Sequence, residues 1–158
     1  NVIKDDTLEV EIYMKQKTRD LLFELTVKEG DPDRISNITG TLSGIAGSFD
    51  LSSQRIYGEA MNTSFPFART NDKITAHTRL LGTTGLKQSL RIDLTFTDGS
   101  SQTIENDLTD LLKNFNDDMP TPMYITGDLL TPIEADMTAT IVGWENGNEE
   151  NGENIETY

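Results

Sequence analysis

The chain has 158 residues, with 13 Lys and Arg against 27 Asp and Glu, a net charge of −14, and no Cys. A chain this acidic repels phosphate backbones, which excludes nucleic-acid binding unless a basic face is present, and the lack of Cys excludes disulfides, thiolate metal sites and thiol nucleophiles. No apolar run reaches the roughly 18 residues that a membrane-spanning helix needs.

Alternation of apolar and polar residues predicts strands from the start of the chain. Residues Leu8–Met14 and Leu21–Val27 each follow this period-2 pattern, which is typical of a strand with one dry face. Only four residues, Gln16–Arg19, lie close to the junction between these two segments, so the two strands are predicted to form a hairpin. Gly and Pro in Gly30–Asp33 end the second strand.

The middle of the chain predicts a strand over Ile35–Leu42 and an interruption over the small residues Ser43–Ser48. Residues Phe49–Gly58 are interpreted as an irregular or edge segment. A new strand follows, because apolar residues again alternate with polar ones, and Pro66 within it predicts an edge position since Pro donates no ladder hydrogen bond. The alternating positions of this strand are Met61, Thr63, Phe65 and Phe67.

The remaining predicted elements are five strands and one short helix. Residues Leu90–Phe96 form the clearest strand, and Asp98-Gly99 is a strong hairpin signal before a returning strand at Ser101–Glu105. A short helix is predicted at Asp107–Leu112, with Asn106 or Asp107 as its N-cap. The other predicted strands are Ile74–Leu80, Met123–Thr126 and Met137–Trp144.

Together these elements predict an all-β fold, an Ig-like sandwich of about seven to eight strands with at most one short helix. Short strands separated by turn signals every 8–12 residues favour this architecture over an α/β one. We expect residues 1–144 to form a single domain. Residues 145–158 contain five Glu and almost no apolar side chain, so they are predicted to be a disordered acidic tail.

Candidate catalytic residues are few, and the sequence favours a protein that is not an enzyme. His77 is the only imidazole, so a Ser–His–Asp site would depend on it, but no Gly-x-Ser-x-Gly elbow is present. The carboxylate pairs Asp117-Asp118 and Asp31/Asp33 lie in turn-like segments, where they are more often solvated turn formers than glycosidase residues. No nucleotide-binding or EF-hand motif occurs, so we expect no cofactor and no defined metal site.

The segment Thr39–Leu51, which contains Leu-Ser-Gly-Ile-Ala-Gly, resembles a segment of the fimbrillin-like surface lipoproteins of Bacteroidales. That group includes fimbrial anchor and accessory subunits and cell adhesion proteins. The resemblance continues through the strand Leu90–Thr97, the Asp98-Gly99 turn and the segment Asn106–Asp110. It ends with the closing strand at Trp144, so it spans about Ile35 to Trp144.

This resemblance implies a transthyretin-like sandwich of about seven strands that is exported to the cell surface and lipid-anchored on the outer membrane. It implies fimbrial subunits, or host or bacterial surface proteins, as partners, and β-strand addition as a mode of binding. The lipidated Cys would lie upstream, because this chain contains none. Typical members carry two such domains, whereas this chain holds one.

We therefore predict a fimbria-associated or adhesive domain that works by protein–protein contacts. Its possible docking edge is the strand that carries Met61, Thr63, Phe65 and Phe67, although such an edge could equally be built to block pairing. The alternative function is a carbohydrate-binding accessory module of a polysaccharide-uptake system, which would need exposed aromatic side chains. A hydrolase that uses His77 is a third hypothesis.

Overall fold

Nine strands make up most of the chain that the computed structural model describes, residues 16–132 and 138–147. One helix, α1 (Thr109–Leu112), and two short 3-10 turns complete these residues. None of the helices found there is long and apolar enough to span a bilayer. The strands are β1 (Arg19–Glu29), β2 (Ile35–Asp50), β3 (Arg55–Pro66), β4 (Ala68–Thr70), β5 (Lys73–Leu80), β6 (Ser89–Phe96), β7 (Ser101–Asp107), β8 (Met123–Leu130) and β9 (Thr140–Gly147).

The strands form two sheets that pack face to face. The five-stranded sheet has the order β4-β5-β1-β8-β9 and the four-stranded sheet has the order β3-β2-β6-β7. All neighbours are antiparallel except β1 and β8, which run parallel. The predicted all-β sandwich is therefore confirmed. The described residues hold nine strands rather than seven or eight, and β4 is only three residues long.

The alternating pattern places its apolar positions between the two sheets. On β1 the side chains of Leu21, Phe23, Leu25 and Val27 are all buried, and the apolar residues of β6 are buried in the same way. Each such side chain contributes about 1.5–3 kcal/mol by leaving water. The Asp98-Gly99 turn joins β6 to β7 as predicted.

The hairpin predicted between Leu8–Met14 and the strand that follows it is wrong. The first of these segments lies outside the described residues, but the second belongs to β1, and both edges of β1 are occupied. Strand β5 pairs with it over Arg19–Thr26 and β8 pairs with it from Leu21 onward. An interior strand has no free backbone edge to offer a third neighbour, so a hairpin on β1 cannot form.

The predicted interruption at Ser43–Ser48 is also wrong, because β2 continues without a break to Asp50. The small residues are accommodated by bulges, where the register with β3 shifts on either side of Ile45-Ala46. Gly44 has a φ of +71°, which glycine adopts without steric cost. On its other side this part of β2 is paired through Ala46 N–H, which donates to the Gly82 carbonyl at 2.9 Å.

Three aromatic rings join the two sheets where the chain passes from one to the other. Phe65 is the second-last residue of β3 in the four-stranded sheet and Phe67 precedes β4 in the five-stranded sheet, and both rings pack on Phe23 of β1. The ring centroids lie 5.7 to 6.0 Å apart. Gly40 on β2 provides the space, because a Cβ there would lie 2.7 Å from the Phe67 ring and 2.9 Å from the Phe65 ring.

The C-terminal elements differ in their bounds from the prediction. Helix α1 begins at Thr109, so Leu108 occupies the N-cap position predicted for Asn106 or Asp107. Asp107 nevertheless accepts a hydrogen bond from the Thr109 N–H at 2.9 Å. Strand β9 continues three residues past Trp144 to Gly147. Residues 148–158 lie outside the described chain, so the acidic tail remains a prediction.

Replacing Gly40 by Ala should lower the free energy of unfolding by about 1–3 kcal/mol, because the added methyl group overpacks the aromatic rings. Urea denaturation measures this loss. Gly47→Ala on the same strand is the matched control, since the atom in its way is the Sδ of the exposed and flexible Met61. Equal losses in the two variants would contradict the packing explanation.

Candidate functional site

Strand β3 is the outermost strand of the four-stranded sheet, as Pro66 predicted. It pairs with β2 in antiparallel register from Pro66 opposite Thr39 to Arg55 opposite Asp50. Within the described residues no strand pairs with its other edge. Its unpaired N–H and C=O groups are therefore available to another extended segment.

The four predicted docking residues divide into two kinds. Phe65 and Phe67 are buried in the aromatic cluster, so their side chains hold the strand in place and do not face a partner. Thr63 is half-buried opposite Leu42. Met61 is 56% exposed, and it is the one member of the set whose side chain is open to contact.

Additional exposed apolar residues surround this edge. Tyr57 on β3 is 58% exposed, Leu51 in the β2–β3 turn is 68% exposed, and Leu86 in the loop between β5 and β6 is 99% exposed. That loop approaches β3, because a methyl group on Gly85 would lie 3.6 Å from the Ala60 Cβ. Tyr57 is not among the residues predicted from sequence, because Phe49–Gly58 is interpreted there as an irregular or edge segment and the neighbours Ile56 and Gly58 give no alternation with polar residues.

An apolar groove of about 350 Å³ opens at the start of β3. Its walls come from the β2–β3 hairpin and from the 116–120 segment, with apolar surface from Phe49, Ile56, Leu81, Met119 and Pro120. Lys17 lies 5.1 Å from the centroid of the Phe49 ring and donates a hydrogen bond to Gln54. The groove can therefore accept an apolar side chain beside a fixed positive charge.

The candidate catalytic histidine lies elsewhere, on the outer face of the five-stranded sheet. Its Nε2 is 3.0 Å from Asp20 Oδ1, and Arg79 Nε donates to the same oxygen at 2.8 Å. The hydrogen bond from Arg79 is the main reason that the pKa of Asp20 is lowered, and the bond from His77 adds to it. This group of side chains links β1 to β5 across their register.

The candidate carboxylate pairs do not converge on a shared site. Asp31 caps the Pro32–Arg34 turn by accepting the Asp33 N–H at 2.9 Å, and Asp33 lies 3.3 Å from Arg69. Asp117 and Asp118 are exposed neighbours at the end of the second 3-10 turn. In residues 16–132 and 138–147 no three His, Cys, Asp or Glu side chains are grouped so as to hold a metal ion.

Comparison with known proteins identifies the family of this chain. The family model described as "Mfa2: Fimbrillin-A associated anchor proteins Mfa1 and Mfa2" matches residues 1–150. No curated protein matches the chain by sequence.

Two solved structures share the fold. A candidate adhesin from Bacteroides ovatus aligns with a TM-score of 0.59 and 13% identity, over 91% of this chain and 55% of its own. The fimbrial anchor protein Mfa2 from Porphyromonas gingivalis aligns with a TM-score of 0.55 and 15% identity, over 82% of this chain and 46% of its own. The chain thus spans about half the length of each solved protein.

The Asp20 interactions predict a dependence of stability on pH. Because the pKa of folded Asp20 is lowered, its ionised form stabilises the fold above the unfolded value of about 3.9, and this contribution is lost as the pH falls through the folded value. The difference in unfolding free energy between the natural chain and Asp20→Asn should therefore be largest near neutral pH and shrink below about pH 4. Denaturant titrations at several pH values measure it.

The exposed Asp110→Asn variant controls for the loss of one charge. A difference that stays constant between neutral and acidic pH for Asp20→Asn would show that the ion pairs contribute nothing to stability.

Proposed function

The chain belongs to the family of fimbrillin-A associated anchor proteins Mfa1 and Mfa2, and we propose that it binds fimbrial subunits at the bacterial surface through the outer edge of β3. The family is structural and non-enzymatic, and a fimbrial anchor works by association with fimbrial subunits at the cell surface. Such a role needs a rigid domain with an accessible edge or loop surface.

The length and composition of β3 support this choice among the four sheet edges. Strand β3 has 12 residues, against three in β4, seven in β7 and eight in β9. Edge strands that avoid pairing commonly carry charges or Pro in their middle. In β3 the Pro lies at the last position, and between Ile56 and Phe65 only Glu59 is charged. Tyr57 and Met61 add exposed apolar surface to that stretch.

Strand addition is the binding mode that fits these features. An extended segment of the partner would pair with the backbone of β3, and its alternate side chains would contact Tyr57 and Met61. Phe65 and Phe67 hold the strand against the core, so little rearrangement is needed on binding. The apolar groove at the start of β3 would receive an apolar side chain from the end of the added segment. Adhesion to a host or bacterial surface protein would use the same edge.

The proposal includes attachment to the outer membrane through a lipid. The chain has no Cys, so the lipidated residue would belong to the protein upstream of Asn1. A coding sequence in which a signal peptide ends in such a Cys would support this attachment, and its absence would contradict it.

The double variant Tyr57→Lys/Met61→Lys should weaken binding to a purified fimbrillin of the same bacterium by at least about tenfold, which corresponds to about 1.4 kcal/mol. Lysine removes apolar contact and places charge beside the edge, which opposes strand pairing. Surface plasmon resonance measures the affinity. Both residues are more than half exposed, so the fold should persist.

Val142→Lys is the matched control, because Val142 is an exposed apolar residue, 47% accessible, on the edge strand β9. Loss of binding with Val142→Lys, together with unchanged binding in the β3 double variant, would contradict the proposal and indicate that the interface lies on β9.

A further inference from the structure

A second and larger pocket lies at the end of the five-stranded sheet where β1 and β8 begin and β9 ends. Its volume is about 710 Å³, within the range of roughly 300–1,000 Å³ that is typical of small-molecule sites. We refer to it as the Arg19 pocket. The polar and aromatic side chains that line it include Arg19, Asn114, Asp117, Asp118, Tyr124 and Asn146.

The guanidinium group of Arg19 is held rigidly at the base of this pocket. The residue is only 7% exposed, and its Nε and Nη1 donate to the carbonyls of Thr121 and Phe115 at 2.6 and 2.7 Å. The group also lies 5.3 Å from the centroid of the Phe115 ring. Burial lowers the pKa of Arg19 while Asp118 and Asp117 act in the opposite direction, and arginine stays protonated in proteins.

One of the two terminal nitrogens of this guanidinium group, Nη2, takes no part in these hydrogen bonds. The Nη2 group makes no hydrogen bond within the described residues. Because Arg19 lines the pocket, this group lies at the pocket wall. Two N–H donors of fixed orientation are therefore available to a ligand.

The pocket also offers unused acceptors. Among the residues the structure describes, the carboxylates of Asp117 and Asp118 form no ion pair within 4 Å and accept no side-chain hydrogen bond. An anion at this place would be repelled by the two carboxylates, and the Arg19 guanidinium offsets one of their two charges, which reduces the attraction for a cation. The arrangement favours a neutral ligand whose groups both donate and accept, and hydroxyl groups have this property.

An aromatic side chain supplies an apolar surface beside these polar groups. Tyr124 lies on the opposite face of β8 from the buried Ile125 and is half-exposed. Its cross-strand neighbour on β9 is Gly147, where a Cβ would lie 3.2 Å from the Tyr124 Cβ. Because that neighbour has no side chain, no cross-strand side chain of the described part of β9 covers Tyr124.

We propose that the Arg19 pocket binds a neutral saccharide. The hydroxyl groups of the sugar accept hydrogen bonds from Arg19 Nη2 and donate them to Asp117 and Asp118. The apolar C–H face of the sugar ring packs on Tyr124, whose side chain likewise combines an apolar ring with a polar hydroxyl group. The Arg19 pocket and the apolar groove lie on the two sides of the 114–122 segment, and Asp117 and Asp118 line both of them.

An array of bacterial and host glycans tests the proposal, with mannose, galactose, glucose and N-acetylglucosamine as soluble competitors. We expect the chain to retain at least one glycan and a soluble monosaccharide to compete with it. Tyr124→Ala and the double variant Asp117→Asn/Asp118→Asn should each weaken this binding by about tenfold or more in calorimetry. Asp117 and Asp118 are exposed and Tyr124 is half-exposed, so the variants should fold like the natural chain.

Asp110→Asn is the matched control for charge, since Asp110 is exposed on α1 and does not line the pocket. It should bind the glycan normally, as should the Tyr57→Lys/Met61→Lys variant of the β3 edge. Absence of any glycan binding, or glycan binding that the pocket variants leave unchanged, would overturn the proposal. Binding of a peptide at this pocket in place of sugars would overturn it as well.

Discussion

The packing of Phe65 and Phe67 against Phe23 is the interaction on which the shape of this domain depends. At this point the chain leaves the four-stranded sheet and enters the five-stranded one, so both rings must point inward on either side of Pro66. Gly40 makes this possible because no side chain fills the space that the rings occupy. As a consequence β3 is fixed at its C-terminal end, and none of the described strands pairs with its outer edge.

The other end of β3 is held in a different way. Asn116 accepts a hydrogen bond from the Thr83 N–H and donates one to the Thr83 carbonyl, at 2.8 and 2.9 Å. Thr83 in turn bridges to Ile45 of β2, and Ile56 of β3 packs close to Gly82. The 114–122 segment thus supports the hairpin on one side and forms a wall of the Arg19 pocket on the other. Two candidate binding surfaces share one rigid support.

Local patterns predicted the strands well where large apolar residues alternate, as in β1 and β6, because alternation with a dry face is a property of the strand itself. They failed at Ser43–Ser48, where glycine and serine offer little apolar area. The segment is a strand because β3 and the 82–84 loop supply hydrogen-bond partners on both sides. Pro66 correctly predicted an edge, but nothing local distinguished the buried Phe65 from the exposed Met61.

The sequence by itself determined the all-β architecture, the Asp98-Gly99 turn, the acidic surface and the absence of thiol chemistry, because these follow from residue identity and from spacing within a few positions. Only the tertiary structure decided that β1 is enclosed between β5 and β8 and that Arg19 faces an open pocket. Arg19 reaches carbonyls 96 and 102 positions away along the chain. Contacts of that separation are set by how the two sheets pack as a whole, and a pattern read along a single strand does not contain them.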